Sequence, residues 1–154
     1  MPRFEPDPSK VSATIDILDK DDYEFIIGTA KSFAAMNDNG TVKNHGVRYP
    51  IQVAEGPSKG KKQFQTCYQH TDGSQGFSKQ FLMAAYGYDV TPEGEREFDR
   101  DFAGKDWSYD TDSGSVGEVW RGIEGKRVIG SADVGTNKNT GDPMQQFKGW
   151  RPLK

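Results

Sequence analysis

Apolar residues in this chain recur at every second position in short runs separated by turn-forming residues, the pattern of half-buried strands rather than helices. Tyr23, Phe25, Ile27 and Thr29 share one side of the first run, and Val47, Tyr49, Ile51 and Val53 one side of the second. In the third, Phe64, Thr66 and Tyr68 alternate with Gln63, Gln65, Cys67 and Gln69. Composition points the same way: three leucines stand against sixteen valines and isoleucines, with fifteen Phe and Tyr residues besides. Gly28 interrupts the first run, and a glycine inside a strand marks a bulge or bend where one strand can serve both halves of a barrel.

The connections are short. Asn37–Gly40 is turn chemistry followed by a polar run to Gly46, and Gly56–Gly60 is a second loop, so the three strands read as an antiparallel meander. The period then changes: Phe77, Phe81, Ala84 and Ala85 recur at helical spacing within Ser74–Tyr86, with Gly87 as C-cap. Thr91 and Pro92 form an N-cap and first-turn pair for a second helix toward Phe102. Residues 103–117 are rich in Asp, Ser and Gly. Strand character returns at Glu118–Trp120 and Lys126–Val134, and after a polar loop, Gly135–Pro143, Met144–Trp150 is the last strand. The expected fold is mainly β: a five-stranded OB-fold barrel with a helix between strands three and four and an acidic helical and loop insert at about 89–117. Residues 1–20, with three prolines in the first eight positions, read as a flexible arm, and 21–154 as one domain.

Several classes drop out. Cys67 is the sole cysteine, so no disulfide forms within the chain, and His45 and His70 lack metal-ligand spacing. No apolar run reaches the roughly 18 residues of a membrane span, and the first ten residues lack a secretion signal's hydrophobic segment, so a soluble intracellular protein is expected. Nucleophile-elbow, dinucleotide and P-loop motifs are missing. Asp106, Asp110 and Asp112 do not follow calcium-loop spacing. The expectation is a protein without catalytic residues, metal or cofactor.

The net charge of −3 conceals an asymmetry. Residues 23–88 and 113–154 each carry +3, whereas 1–22 carry −3 and 89–112 carry −6. The barrel segments are therefore basic beside an acidic insert, which is a solvated or self-shielding segment or one that competes for the basic face. Cations are interleaved with rings: Arg48 adjoins Tyr49, Lys61 and Lys62 precede Phe64 and Tyr68, and Lys148 and Arg151 flank Trp150. Single-strand binders combine these ingredients, charge along the backbone and rings on which bases stack. The candidate nucleic-acid-binding residues are Arg48, Tyr49, Lys61, Lys62, Phe64, Tyr68, Lys126, Arg127, Lys138, Lys148 and Trp150, with loops Asn37–Gly46 and Gly135–Pro143 beside them. Strand alternation favours the barrel interior for Tyr49. Phe64 and Tyr68 are either both core or both platform, with the core favoured and the glutamines outward. Trp150 is open to either.

Several fragments, in this order, resemble a family of phage-encoded OB-fold single-stranded-DNA-binding proteins, long catalogued as a phage family of unknown function. They are Tyr23-Glu-Phe-Ile-Ile, Glu55-Gly-Pro-Ser-Lys-Gly-Lys-Lys, the helix around Lys79–Tyr88, Gly125-Lys-Arg-Val, and Thr140-Gly before a last strand ending Gly149-Trp-Arg-Pro. The resemblance implies binding of single-stranded DNA in phage replication or recombination, in the cytoplasm of an infected bacterium, with phage or host replication and recombination proteins as partners. The alternative is a phage structural or host-interaction protein that uses the same barrel as a protein-binding surface.

Overall fold

The structure, a computed structural model, describes residues 17–153. The arm expected over residues 1–20 lies outside the described residues up to Asp16. Leu18, expected in that arm, is fully buried in the core, its N–H donating to Gln145 Oε1 at 2.6 Å and its carbonyl accepting from Gln145 Nε2. The packed unit thus begins before residue 21.

The strands are β1 (Asp21–Ile27), β2 (Lys31–Met36), β3 (Val42–Val53), β4 (Lys62–Tyr68), β5 (Tyr109–Asp110), β6 (Ser115–Val116), β7 (Arg127–Thr136) and β8 (Pro143–Pro152). The helices are α1 (Asp72–Ala85), α2 (Pro92–Asp101) and α3 (Glu118–Arg121). Six strands form one antiparallel sheet in the order β2-β3-β1-β7-β8, with β4 on β3, while β5 and β6 pair with each other. The fold is mixed α/β and mostly strand.

β1 and β2 are the two halves of one bent strand along the same edge of β3. Ile27 pairs with Ile51 and Lys31 with Arg48, so three residues of the bent strand face two of β3. The bend falls at Gly28 because a ladder cannot run past Pro50, which has no N–H to donate. Gly28 N–H donates to Pro50 O at 2.7 Å, and a Cβ on Gly28 would lie 2.7 Å from the proline ring. The expected loop from Asn37 to Gly46 is correspondingly shorter. Val42–Gly46 belong to β3, paired with the unforeseen β2.

Among the described residues no ladder joins β4 to β8. α1 packs across both strands instead, its core side formed by Ser78, Phe81, Leu82 and Ala85. Thr71 caps α1 in a reciprocal pair with Ser74, and Gly87 at φ +88° ends it with Tyr88 N–H on Met83 O and Gly87 N–H on Ala84 O. The core centres on Phe25, Tyr49, Phe81, Trp120 and Trp150, with Phe81 and Trp150 edge to face at 4.8 Å.

Two sequence expectations need correction. Glu118–Trp120 is a helical turn, α3, not a strand. Val119 and Trp120 are both buried, and the turn is closed by Gly122 N–H donating to Glu118 O at 3.0 Å. Phe77, expected on the core side of α1, is 73% exposed.

Candidate functional site

The outward side of β3 carries Gly46, Arg48, Pro50 and Gln52, because Val47, Tyr49, Ile51 and Val53 are taken up by the core. Register places Tyr68, Thr66, Phe64 and Lys62 of β4 beside them, and Phe33 and Lys31 of β2 beside Gly46 and Arg48. Phe64 and Tyr68 are 42% and 39% exposed. They face outward, and the expectation that they are core is overturned: Gln63, Cys67 and Gln69 point inward instead.

Gln69 tolerates burial because the insert supplies its partners. Gln69 Nε2 donates to Trp107 O, and its Oε1 accepts from Tyr109 N–H at 2.6 Å. Cys67 is buried as well, which pushes its thiol up to about 12.

Gly46 sits between Phe33 and Tyr68 in the three-strand register, and without a side chain there the two rings meet edge to face at 5.6 Å. The Arg48 guanidinium lies 5.1 Å from the Phe33 ring centre, and His70 meets the other side of Tyr68 at 5.6 Å. Lys31, Arg48 and Lys62 are exposed and enter no salt bridge among the described residues. Accessible rings beside cations that have no acidic partner suit a ligand that is planar, aromatic and anionic.

At the seam between β4 and β8 lies a cleft of about 280 Å³. Tyr68 and Gln65 line it from β4, Phe77 and Gln80 from α1, and Lys148 and Trp150 from β8.

The remaining expected residues divide. Tyr49 is fully buried, its hydroxyl donating to Trp120 O, so it offers no face to a ligand. Burial pushes its phenol far above the ordinary value. Trp150 is 8% exposed and presents only a margin to the cleft. Arg127 is engaged by Glu24 at 2.7 Å and Glu55 at 3.2 Å. Lys126 lies over the Tyr86 ring at 5.4 Å, at the C-terminal end of α1. Neither joins the β3–β4 cluster. Lys61 is exposed in the turn before β4, and Lys138 in the loop between β7 and β8.

Acids of the insert are engaged both from α1 and its C-terminal turn and from within the insert. Lys79 of α1 pairs with Glu95 at 3.0 Å and Asp99 at 2.7 Å, and Tyr88 donates to Asp101 at 2.6 Å. Asp110 accepts from the Ser113 hydroxyl and from the N–H groups of Asp112 and Ser113, which holds its carboxyl below the usual range. Among the described residues no three of His, Cys, Asp and Glu gather where they could hold a metal ion. No described helix is long and apolar enough to cross a membrane.

No protein-family model matches the chain, and no curated protein matches it.

The sequence reading overlooked Lys31, Phe33, His70 and Phe77. Lys31 and Phe33 carry a usable signal, since they continue the alternation of Tyr23, Phe25, Ile27 and Thr29 past the interruption at Gly28. Phe77 gave none, because its spacing from Phe81 suits a core position.

Proposed function

We propose that the protein binds single-stranded DNA without catalysis, on the outward side of β3 and β4. The observation that carries this reading is that the exposed rings of Phe64 and Tyr68 share one surface with exposed Lys31, Arg48 and Lys62, the half-buried Phe33 packing beside Tyr68 and under Arg48. A base offers a π-face to each ring and a phosphate to each cation, whatever its sequence.

The strand order supports an OB-fold beneath it. Taking β1 and β2 as a single bent strand leaves five, with α1 between the third and fourth, and the pairings among them follow that fold apart from an open β4–β8 seam. OB-folds bind oligonucleotides on the side formed by their second and third strands and the loops beside it. Here those strands are β3 and β4, and the loops are Asn37–Thr41 and Asn137–Asp142. The resemblance to phage single-stranded-DNA-binding proteins points to replication or recombination of phage DNA in the bacterial cytoplasm, alongside the proteins that carry it out.

Titration of fluorescently labelled oligo-dT followed by anisotropy tests this. Binding should be salt-sensitive and tolerant of sequence. Tyr68→Ala should weaken it by about 1–3 kcal/mol, the loss of one stacked base. Absence of a complex at low salt would remove the reading.

A further inference from the structure

The cleft at the β4–β8 seam meets the candidate surface at Tyr68, which belongs to both. Two features of its walls are unexplained by folding. Phe77 stands 73% exposed in the second turn of a helix whose other large apolar residues are buried. Lys148 is the extra residue of a β-bulge, for Ser131 and Ala132 of β7 are opposed by Gly149 and Phe147 of β8. The bulge lets Phe147 and Trp150 both turn into the core, with ring centres 4.9 Å apart. It leaves Lys148 exposed on the cleft rim with no salt bridge among the described residues. Bulges re-aim side chains in this way beside functional sites.

The walls combine a ring, a cation and amides. Phe77 and Tyr68 supply aromatic surface, Gln65 and Gln80 carry side-chain amides that both donate and accept, and Lys148 carries the positive charge. A volume of about 280 Å³ lies just under the usual lower bound of about 300 Å³ for ligand pockets. That is room for a single nucleotide and not for a folded partner. We propose that the cleft receives one base of a bound single strand, turned out of line after the strand crosses Tyr68. Phe77 stacks on that base, the Gln65 and Gln80 amides meet its polar edge, and Lys148 meets the adjoining phosphate. This proposal rests on the single-stranded-DNA reading and extends the path from β3 and β4 over the seam.

The test uses Phe77→Ala in the full chain. Phe77 is exposed, and alanine is the stronger helix former, so the variant keeps its fold. Affinity for oligo-dT of about 16 nucleotides, the upper end of site sizes for one OB-fold, should fall roughly 5- to 150-fold, the equivalent of one stacked base. For oligo-dT of about 4 nucleotides, confined to the β3–β4 surface, the change should be less than about 2-fold. Photo-crosslinking with 5-bromodeoxyuridine in the longer oligonucleotide, read by tandem mass spectrometry, should give adducts at Phe77 or Trp150 besides those at Phe64 and Tyr68. Unchanged affinity for the longer oligonucleotide, with adducts confined to β3 and β4, would overturn the cleft proposal and leave the surface intact. So would loss of self-association in Phe77→Ala without loss of binding, which would make Phe77 a contact between copies. A wild-type protein that binds neither oligonucleotide would instead remove the reading on which the proposal rests.

Discussion

Gly46 decides whether the rings of β2 and β4 can meet. A Cβ there would run into the Cys67 carbonyl and lie 2.8 Å from Tyr68 Cα, so neither the pairing of β3 with β4 nor the Phe33–Tyr68 contact tolerates one. Gly46→Val should therefore cost about 1–3 kcal/mol of stability, measured by urea unfolding, because β4 must shift to admit it. A neutral effect would mean that β4 is not held as described. Cys67, one residue from this contact, is the second test. With burial raising its thiol to about 12, almost none is thiolate at pH 8, and the thiolate is the reacting species. Iodoacetamide should leave Cys67 unmodified in the native protein and label it on unfolding. Fast labelling of the folded chain would show that the inner side of β4 is open. The alternation in β4 was legible in the sequence, but its direction was not. Gln63 and Gln69 look like an outer face until the insert, some forty residues on, brings the backbone of Trp107 and Tyr109 to Gln69. A polar residue turns inward when partners exist there, and those partners are set by tertiary structure.

At the level of elements, the helices declare themselves locally and the strand breaks do not. Thr71 before α1, Thr91-Pro92 before α2 and Gly87 after α1 are local signals, and each acts as its chemistry requires. β2 is hard to read from sequence because its partner is Val42–Arg48, a stretch whose polar residues resemble a loop. So is α3, because four residues are too few to establish a period. The join between α1 and α2 carries a pH-dependent tie. Tyr88 donates to Asp101, and that hydrogen bond, with burial and the carboxylate's charge, raises its phenol to about 12. An unfolded tyrosine titrates near 10. The folded value is the higher one, so the contribution is complete below about pH 10 and is lost as pH rises through about 12. Tyr88→Phe keeps the ring against Phe98 and Phe102 and removes only the hydroxyl. It should lower the melting temperature at pH 8, and the gap from wild type should close as the pH approaches 12. A gap that stays constant across that range would assign the effect to packing.

At the scale of the molecule, acids crowd α2, which carries five against two arginines, while several cations of the sheet stand without an acidic partner among the described residues. α2 docks on α1, held through Lys79 and Tyr88, while Lys31, Arg48, Lys62 and Lys148 line the path over β2, β3, β4 and the seam. A net charge of −3 is then no obstacle to an anionic ligand, since the potential near those four cations governs the encounter. Surface charges more than about 10 Å apart are largely screened at 0.1 M salt. If each cation displaces one counterion from a single strand, at about 0.7 per phosphate, log K for oligo-dT should fall against log salt with a slope near −3. Lys62→Ala should bring that slope about 0.7 closer to zero. Glu97→Gln on α2 should leave it unchanged, because its charge lies on an element packed against α1 rather than along the path. Should Glu97→Gln tighten binding as much as Lys62→Ala weakens it, the acidic helix would be acting on the ligand directly, and the potential near the four cations would not alone set affinity.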